Sequence, residues 1–261
     1  GLLFGYDSAV ITGAVSANEK HFEVAPGPLG FAVASALIGA AAGAFTGGRI
    51  ADRIGRLRVM QIAAVLFFVS AIGSGLASSL TMFVVFRIVG GIAVGIASVI
   101  APAYIAEISP PHIRGRLGSL QQMAIVSGIF VSLLIDYMLA HAAGDSSSML
   151  WMGLEAWRWM FIMMFVPAIA YGVLSLTIPE SPRFLVAQGN PEAAQKILAK
   201  VLGVGAGETV QRIQESLQRE RKPSMADLKA PNGRWYPIVW VGIGLAVFQQ
   251  FVGINVIFYY S

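Results

Sequence analysis

The chain has 261 residues, 56% of them hydrophobic and 12% charged, with a net charge of +4 and no cysteine. Soluble domains carry about a quarter charged residues, so a surface this poor in charge excludes a body wetted on all sides and makes lipid the main solvent. The missing cysteine excludes disulfides, thiol nucleophiles and thiolate metal sites.

A bilayer core takes about 20 apolar residues in helical form. In chain order such runs occupy about 1–17, 29–50, 59–77, 81–106, 118–140, 158–178 and 235–261. The first is short and the last unfinished, and with Gly1 in place of a methionine both ends read as cut. Turn-forming clusters mark the reversals: Pro26-Gly27-Pro28, Pro110-Pro111 and Gly144-Asp145-Ser146-Ser147-Ser148. The expected organisation is a six-helix transmembrane bundle over 1–178, a helical linker over 179–234 and the start of a seventh span over 235–261.

Most of the 18 basic residues fall in alternate connections. The second connection holds Arg49, Arg53, Arg56 and Arg58, the fourth Arg114 and Arg116, and the sixth nine more between Arg183 and Arg234. Lys20 stands alone in the odd connections. This is the positive-inside pattern, which predicts a cytoplasmic N-terminus and cytoplasmic even-numbered connections. Because topology accounts for the positive charge, no nucleic-acid partner is expected.

The linker predicts short helices. Asn190 can cap, Pro191 suits the first helical position, Glu192 suits the positive end and Gly203 stops the helix. Further on, Val210, Ile213 and Leu217 share one face, so small amphipathic helices should lie against the cytoplasmic end of the bundle. Small residues mark helix contacts in lipid. Gly39, Gly43 and Gly47 recur every four residues, and Gly91, Gly95 and Ser98 lie on the same side as Arg87, which draws that arginine inward.

Two sets of polar residues carry the chemistry. Asp7 sits in the first apolar run, where an ionised carboxylate costs about 2.5–3.5 kcal/mol on insertion scales. Arg87 stands about 10 Å into its own helix by the helical rise. One acid and one base on separate helices predict a buried pair that takes up and releases a proton. Asp136, nearer the outer end of its helix, is expected to be wetted.

The second set is amides: Gln121 and Gln122 open the fifth span, and Gln249, Gln250 and Asn255 run through the seventh. Uncharged groups that both donate and accept suit a polyhydroxylated neutral ligand such as a sugar. On a regular helix Asn255 points about 140° away from Gln250, so an interruption at Gly253 is expected to turn both into one cavity. Tyr259 and Tyr260 follow and could close over a ring. Ile129, seven residues beyond Gln122, faces nearly the same way and is expected to line the same cavity.

No enzyme is expected. H-E-x-x-H, G-x-S-x-G and P-loop patterns are missing, and Gly203-Val204-Gly205-Ala206-Gly207 follows no strand. His21, His112 and His141 fall in different connections and make no metal site.

Several motifs, in order along nearly the whole chain, resemble the sugar porters of the major facilitator superfamily. They are Gly1 through Asp7, Gly48 through Arg58, Arg87 with Gly90-Gly91, and Pro102-x-Tyr104-x-x-Glu107. Arg114-Gly115-Arg116, Pro179-Glu180-Ser181-Pro182-Arg183 and the Gln249-Gln250…Asn255 run complete the set. Within that family the chain is most similar to bacterial proton-coupled D-xylose and hexose symporters.

The resemblance implies an all-α integral membrane protein of twelve helices in two six-helix halves, of which this chain is the N-terminal one with the start of the other. It implies a multi-pass protein of the bacterial inner membrane that takes a monosaccharide with a proton by alternating access and needs no cofactor. Gln122, Gln249, Gln250 and Asn255 would bind sugar hydroxyls. Asp7 would carry the proton with Arg87 as its partner. Arg53, Arg56, Glu107, Arg114, Glu180 and Arg183 would form a cytoplasmic charge network that latches the outward-facing state. The sequence departs from the family pattern at Leu57, where a second arginine is usual, and at Ile129, an apolar residue where xylose carriers have a glutamine. A facilitative uniporter and a transporter-like sugar sensor are the alternatives; Asp7 favours coupling and the modest linker disfavours a sensor.

Overall fold

The computed structural model describes residues 1–202, 205–219 and 235–251. Within them the regular structure is helical. In chain order the helices are α1 (Leu2–Phe22), α2 (Pro26–Ile54), α3 (Arg56–Gly75), α4 (Leu80–Ile108), α5 (Pro111–Ala143), α6 (Ala156–Ile162) and α7 (Phe165–Thr177). Then follow α8 (Pro182–Ala187), α9 (Pro191–Leu202), α10 (Ala206–Arg219) and α11 (Pro237–Phe251).

Among the described residues five helical stretches are long and apolar enough to cross a membrane: α2, α3, α4, α5, and α6 with α7. The α1 helix is not one of them, although a span was expected there. Asp7 and Asn18 interrupt its apolar residues, and both are buried. It packs chiefly on α5.

The expected sixth span, 158–178, is two helices because of Pro167. Proline has no N–H, so the Met163 carbonyl cannot make its usual bond. The Val166 N–H takes that carbonyl instead at 3.2 Å, a tighter turn that separates α6 from α7. Of the seventh span, α11 is described to Phe251; the interruption expected at Gly253 lies outside the described residues.

The glycine faces pack as expected. A Cβ on Gly39 or Gly43 would lie 2.2 Å from the Ile88 or Ile92 carbonyl oxygen, and one on Gly91 or Gly95 about as close to those of Ala36 or Ala40. These four glycines therefore let the α2 and α4 backbones touch, which is how helices gain contact energy where lipid competes for apolar surface. Gly5 and Gly128 do the same for α1 against α5.

The linker folds as its caps suggest. Asn190 accepts from the Ala193 N–H at 3.2 Å at the start of α9. Val210, Ile213 and Leu217 of α10 close a small core with Val186, Ala194 and Leu198.

Candidate functional site

The centre of the bundle holds one ion pair. Arg87 Nη1 lies 3.1 Å from Asp7 Oδ1, with the side chains 2% and 4% exposed. Each residue reaches this place for a local reason. Asp7 lies on the inner face of α1, and Arg87 lies one turn before Gly91, whose contact with α2 carries α4 deep into the bundle. Gly90 leaves room beside the pair: a Cβ there would stand 3.5 Å from Asp7 Oδ1 and 2.4 Å from Ser70 Oγ. The Phe161 ring lies 5.8 Å from the Arg87 guanidinium and covers it from α6. Asp7 Oδ1 accepts this bond, and Arg87 Nε has no hydrogen-bond partner among the described residues. Losing either member outright would strand a buried charge, at about 3–5 kcal/mol.

Asp136 is not wetted, as its sequence position had suggested; it is 3% exposed. Position along the helix misleads here because Gly13 of α1 presses against it: a Cβ on Gly13 would lie 2.7 Å from the Asp136 Cβ. Neither carboxyl oxygen has a hydrogen-bond partner among the described residues, so an ionised group there has nothing to offset its burial. Asp136→Asn keeps the shape without the charge. It should leave the melting temperature of the detergent-solubilised protein unchanged or higher; a drop would reveal a favourable partner of the carboxylate.

Polar groups also gather where α3 begins and α4 ends. Arg56 grips Glu107 with two parallel bonds, Nε to Oε2 at 3.0 Å and Nη2 to Oε1 at 2.9 Å, and Ser181 Oγ donates to Glu107 Oε2 as well. Tyr104, one turn before Glu107 on the same face, donates to the Pro179 carbonyl oxygen at 2.7 Å. The chain from Pro179 to Pro182 is thus strapped onto α4.

Glu180 takes a role the resemblance did not anticipate. Its carboxylate accepts from the backbone N–H groups of Arg56 at 3.0 Å, Leu57 at 3.3 Å and Ser181 at 2.8 Å. It therefore caps the positive end of α3. Gly55, at φ +99°, makes this possible, since a Cβ there would lie 2.3 Å from Glu180 Oε2. Leu57, the departure from the family pattern, turns its side chain into the core formed by Ala51, Val59 and Met60. Arg53 is exposed, and Arg114 donates to the Ser109 carbonyl oxygen at 3.4 Å.

The amides are not brought together within the described residues. Gln122 is exposed on α5 and Ile129 half-buried. Gln249 and Gln250 lie in the α11 backbone, but their side chains fall outside the description, as do Asn255 and Tyr259.

A further charge cluster at the opposite end escaped the sequence reading. Arg158 donates to the carbonyl oxygens of Gly75 at 3.1 Å and Ala77 at 2.9 Å, and to His21 Nε2 at 2.8 Å. Since a guanidinium only donates, Nε2 is the accepting nitrogen, and Nδ1–H faces Glu155 Oε2 at 2.8 Å. The cluster pins α1, the α3–α4 turn and α6 together. Its signal in the sequence was Arg158 beside an apolar run, three residues after Glu155, with which it pairs at 3.4 Å.

A family model described as "Sugar (and other) transporter" matches residues 1–261. A glucose transport protein of Synechocystis sp. is 55% identical over 262 residues, covering 100% of this chain and 56% of that protein. The D-xylose-proton symporter of Escherichia coli strain K12 is 42% identical over 289 residues, covering 100% of this chain and 57% of its own length. Among solved structures, the MFS (major facilitator superfamily) proton:xylose symporter XylE bound to 6-bromo-6-deoxy-D-glucose matches with a TM-score of 0.86 at 41% identity. That alignment covers 100% of this chain and 59% of that one. The chain spans about half the length of the curated relatives it matches.

Proposed function

This chain belongs to the sugar (and other) transporter family, has the major facilitator fold of a multi-pass membrane protein, and we propose that it is the front half of a proton-coupled monosaccharide transporter. Its family relatives are transporters rather than enzymes, and alternating access is the mechanism we assign to it. The observation that carries the coupling is the Asp7–Arg87 pair, an aspartate 3% exposed among membrane-spanning helices and bonded to a buried arginine. A proton arriving on Asp7 neutralises it and releases the Arg87 guanidinium. That changes the balance between states in which the pair is closed and states in which it is open.

Alternate basic connections support placing the α2–α3 turn, the α4–α5 turn and the linker in the cytoplasm. The Arg56–Glu107 grip and the Glu180 cap then form the cytoplasmic latch, to which Arg53, Arg114 and Arg183 add positive charge against the second half of the protein. Gln122, Gln249, Gln250 and Asn255, with Ile129 and Tyr259, are the proposed lining of the sugar site. No cofactor is required beyond the proton. Both a hexose and a pentose suit such a site, as the names of the two relatives suggest.

The test is uptake of radiolabelled glucose and xylose by the complete protein in proteoliposomes, with and without an imposed pH gradient. At least one sugar should accumulate above equilibrium only when the gradient drives protons inward. Downhill entry that ignores the gradient would replace symport with uniport, and failure to take up either sugar would remove the transport reading for both.

A further inference from the structure

The turn between α5 and α6 lies at the end of the bundle away from the linker helices, and it presents apolar side chains outward. Met149 is 68% exposed, Trp151 52% and Met152 88%. The segment is held in place by its own backbone. The Leu150 N–H donates to the Leu154 carbonyl oxygen at 2.9 Å, and the Leu154 N–H to that of Trp151 at 3.0 Å. This closes a tight turn with Met152 and Gly153 as its central residues, both at positive φ, 55° and 72°. Such turns ordinarily take asparagine, aspartate or glycine first and glycine second. A methionine there sits in a region that L side chains rarely adopt. The backbone thus fixes a long apolar side chain at the tip of the turn against the preference of the residue.

Charge is kept out of this segment, since residues 146–154 include none. Of the acids on either side, Asp145 pairs with Lys20 at 3.5 Å, and Glu155 meets Arg158 at 3.4 Å and the Trp157 indole N–H at 2.8 Å. Trp151 is tied to the spanning helix. Its ring meets that of Trp159 edge to face, 5.8 Å between centroids, and the Trp159 indole N–H donates to the Trp151 carbonyl oxygen at 3.2 Å. Trp159 heads a row that continues along the α6–α7 span through Met163, Val166, Ala170 and Val173, at steps of four, three, four and three residues. That spacing is one helix face, and Val166 and Val173 on it are each more than half exposed. An apolar face on a membrane span meets hydrocarbon, so the tryptophan pair stands where that face ends and water begins. Indole rings, apolar with one polar edge, gather at this level of a bilayer.

We propose that Met149, Trp151 and Met152 insert into the membrane–water interface of the leaflet opposite the linker helices. The partner is the phospholipid surface itself, and a segment without charge needs no anionic headgroup. Seated there, the turn fixes the depth of the α6–α7 span, because interfacial tryptophans set how a span sits in the bilayer. Only the membrane-spanning fold is needed, whichever solute the protein carries.

The full-length protein is placed in nanodiscs of phosphatidylcholine brominated at either a shallow or a deep acyl position, and tryptophan emission is compared between wild type and Trp151→Phe. The difference between the two isolates Trp151. Its emission should be lost to the shallow bromines, less to the deep ones, and hardly at all to aqueous iodide. Moving the reporter, as Trp151→Phe with Met149→Trp, should restore the quenching; Met149→Trp alone should add a quenchable emission, which keeps the test readable if Trp151→Phe does not fold. Quenching of Trp151 by iodide and not by bromine would place the turn in water and overturn the proposal. Protection from both quenchers would overturn it too, since a protein surface, the second half or another copy, would then cover the turn.

Discussion

The Asp7→Asn variant of the full-length protein should lose all accumulation of sugar against its gradient while still binding and exchanging it. Asparagine keeps the shape of the aspartate and leaves an acceptor oxygen for Arg87 Nη1, now 3.1 Å from Asp7 Oδ1. It removes only the group that can be protonated. With no proton site, an imposed pH gradient has nothing at the centre of the bundle to act on. The amides assigned to the sugar lie on other helices, so counterflow at equal pH should persist. Arg87→Leu should do more damage, because Asp7 would stay buried without its partner at about 3–5 kcal/mol. The two readouts are sugar accumulation in proteoliposomes under an imposed proton gradient and counterflow without one. Concentrative uptake surviving in Asp7→Asn would show that coupling resides elsewhere.

Gly91→Val should abolish the folded bundle. A Cβ at this position would lie 2.0 Å from the Ala36 carbonyl oxygen and 2.8 Å from its carbonyl carbon. Backbone atoms cannot rotate aside as a side chain can, so α2 would have to move as a body. The contacts of Gly39, Gly43 and Gly95 lie on the same seam and would open with it. Overpacking a dense interface costs about 1–3 kcal/mol where side chains can give way, and more is expected where only backbone stands opposite. Gly48→Ala is the control, since nothing stands within 4 Å of its built Cβ; it should melt like the wild type. The comparison is read from monodisperse yield and thermal melting in detergent. A Gly91→Val protein that melts within a few degrees of the wild type would mean that the seam opens at little cost.

Much of this was legible because a bilayer imposes simple rules on a chain. The long apolar runs located α2 to α5 and the α6–α7 span, and the small-residue repeats located the α2–α4 seam. The pairing of Asp7 with Arg87 could be anticipated because a lone charge in lipid needs a partner and Arg87 stood on a helix face already drawn inward. Asn190 declared its cap through one local bond.

Other features depended on which backbones meet. Asp136 looked wetted until Gly13 was found against it, and no pattern within α5 encodes that contact. Glu180 looked like one member of a charge network, yet it accepts from the backbone N–H groups of Arg56 and Leu57, which only the fold brings to it. Arg158 depended on two carbonyl oxygens at Gly75 and Ala77, groups that every residue carries and no motif can announce. Composition, charge placement and helical periodicity therefore determined the membrane class, the main spans and the polar residues that matter. The tertiary structure decided which of those residues are enclosed and what each one faces, because hydrogen-bond partners on the main chain are set by the packing of whole helices and leave no mark on residue identity.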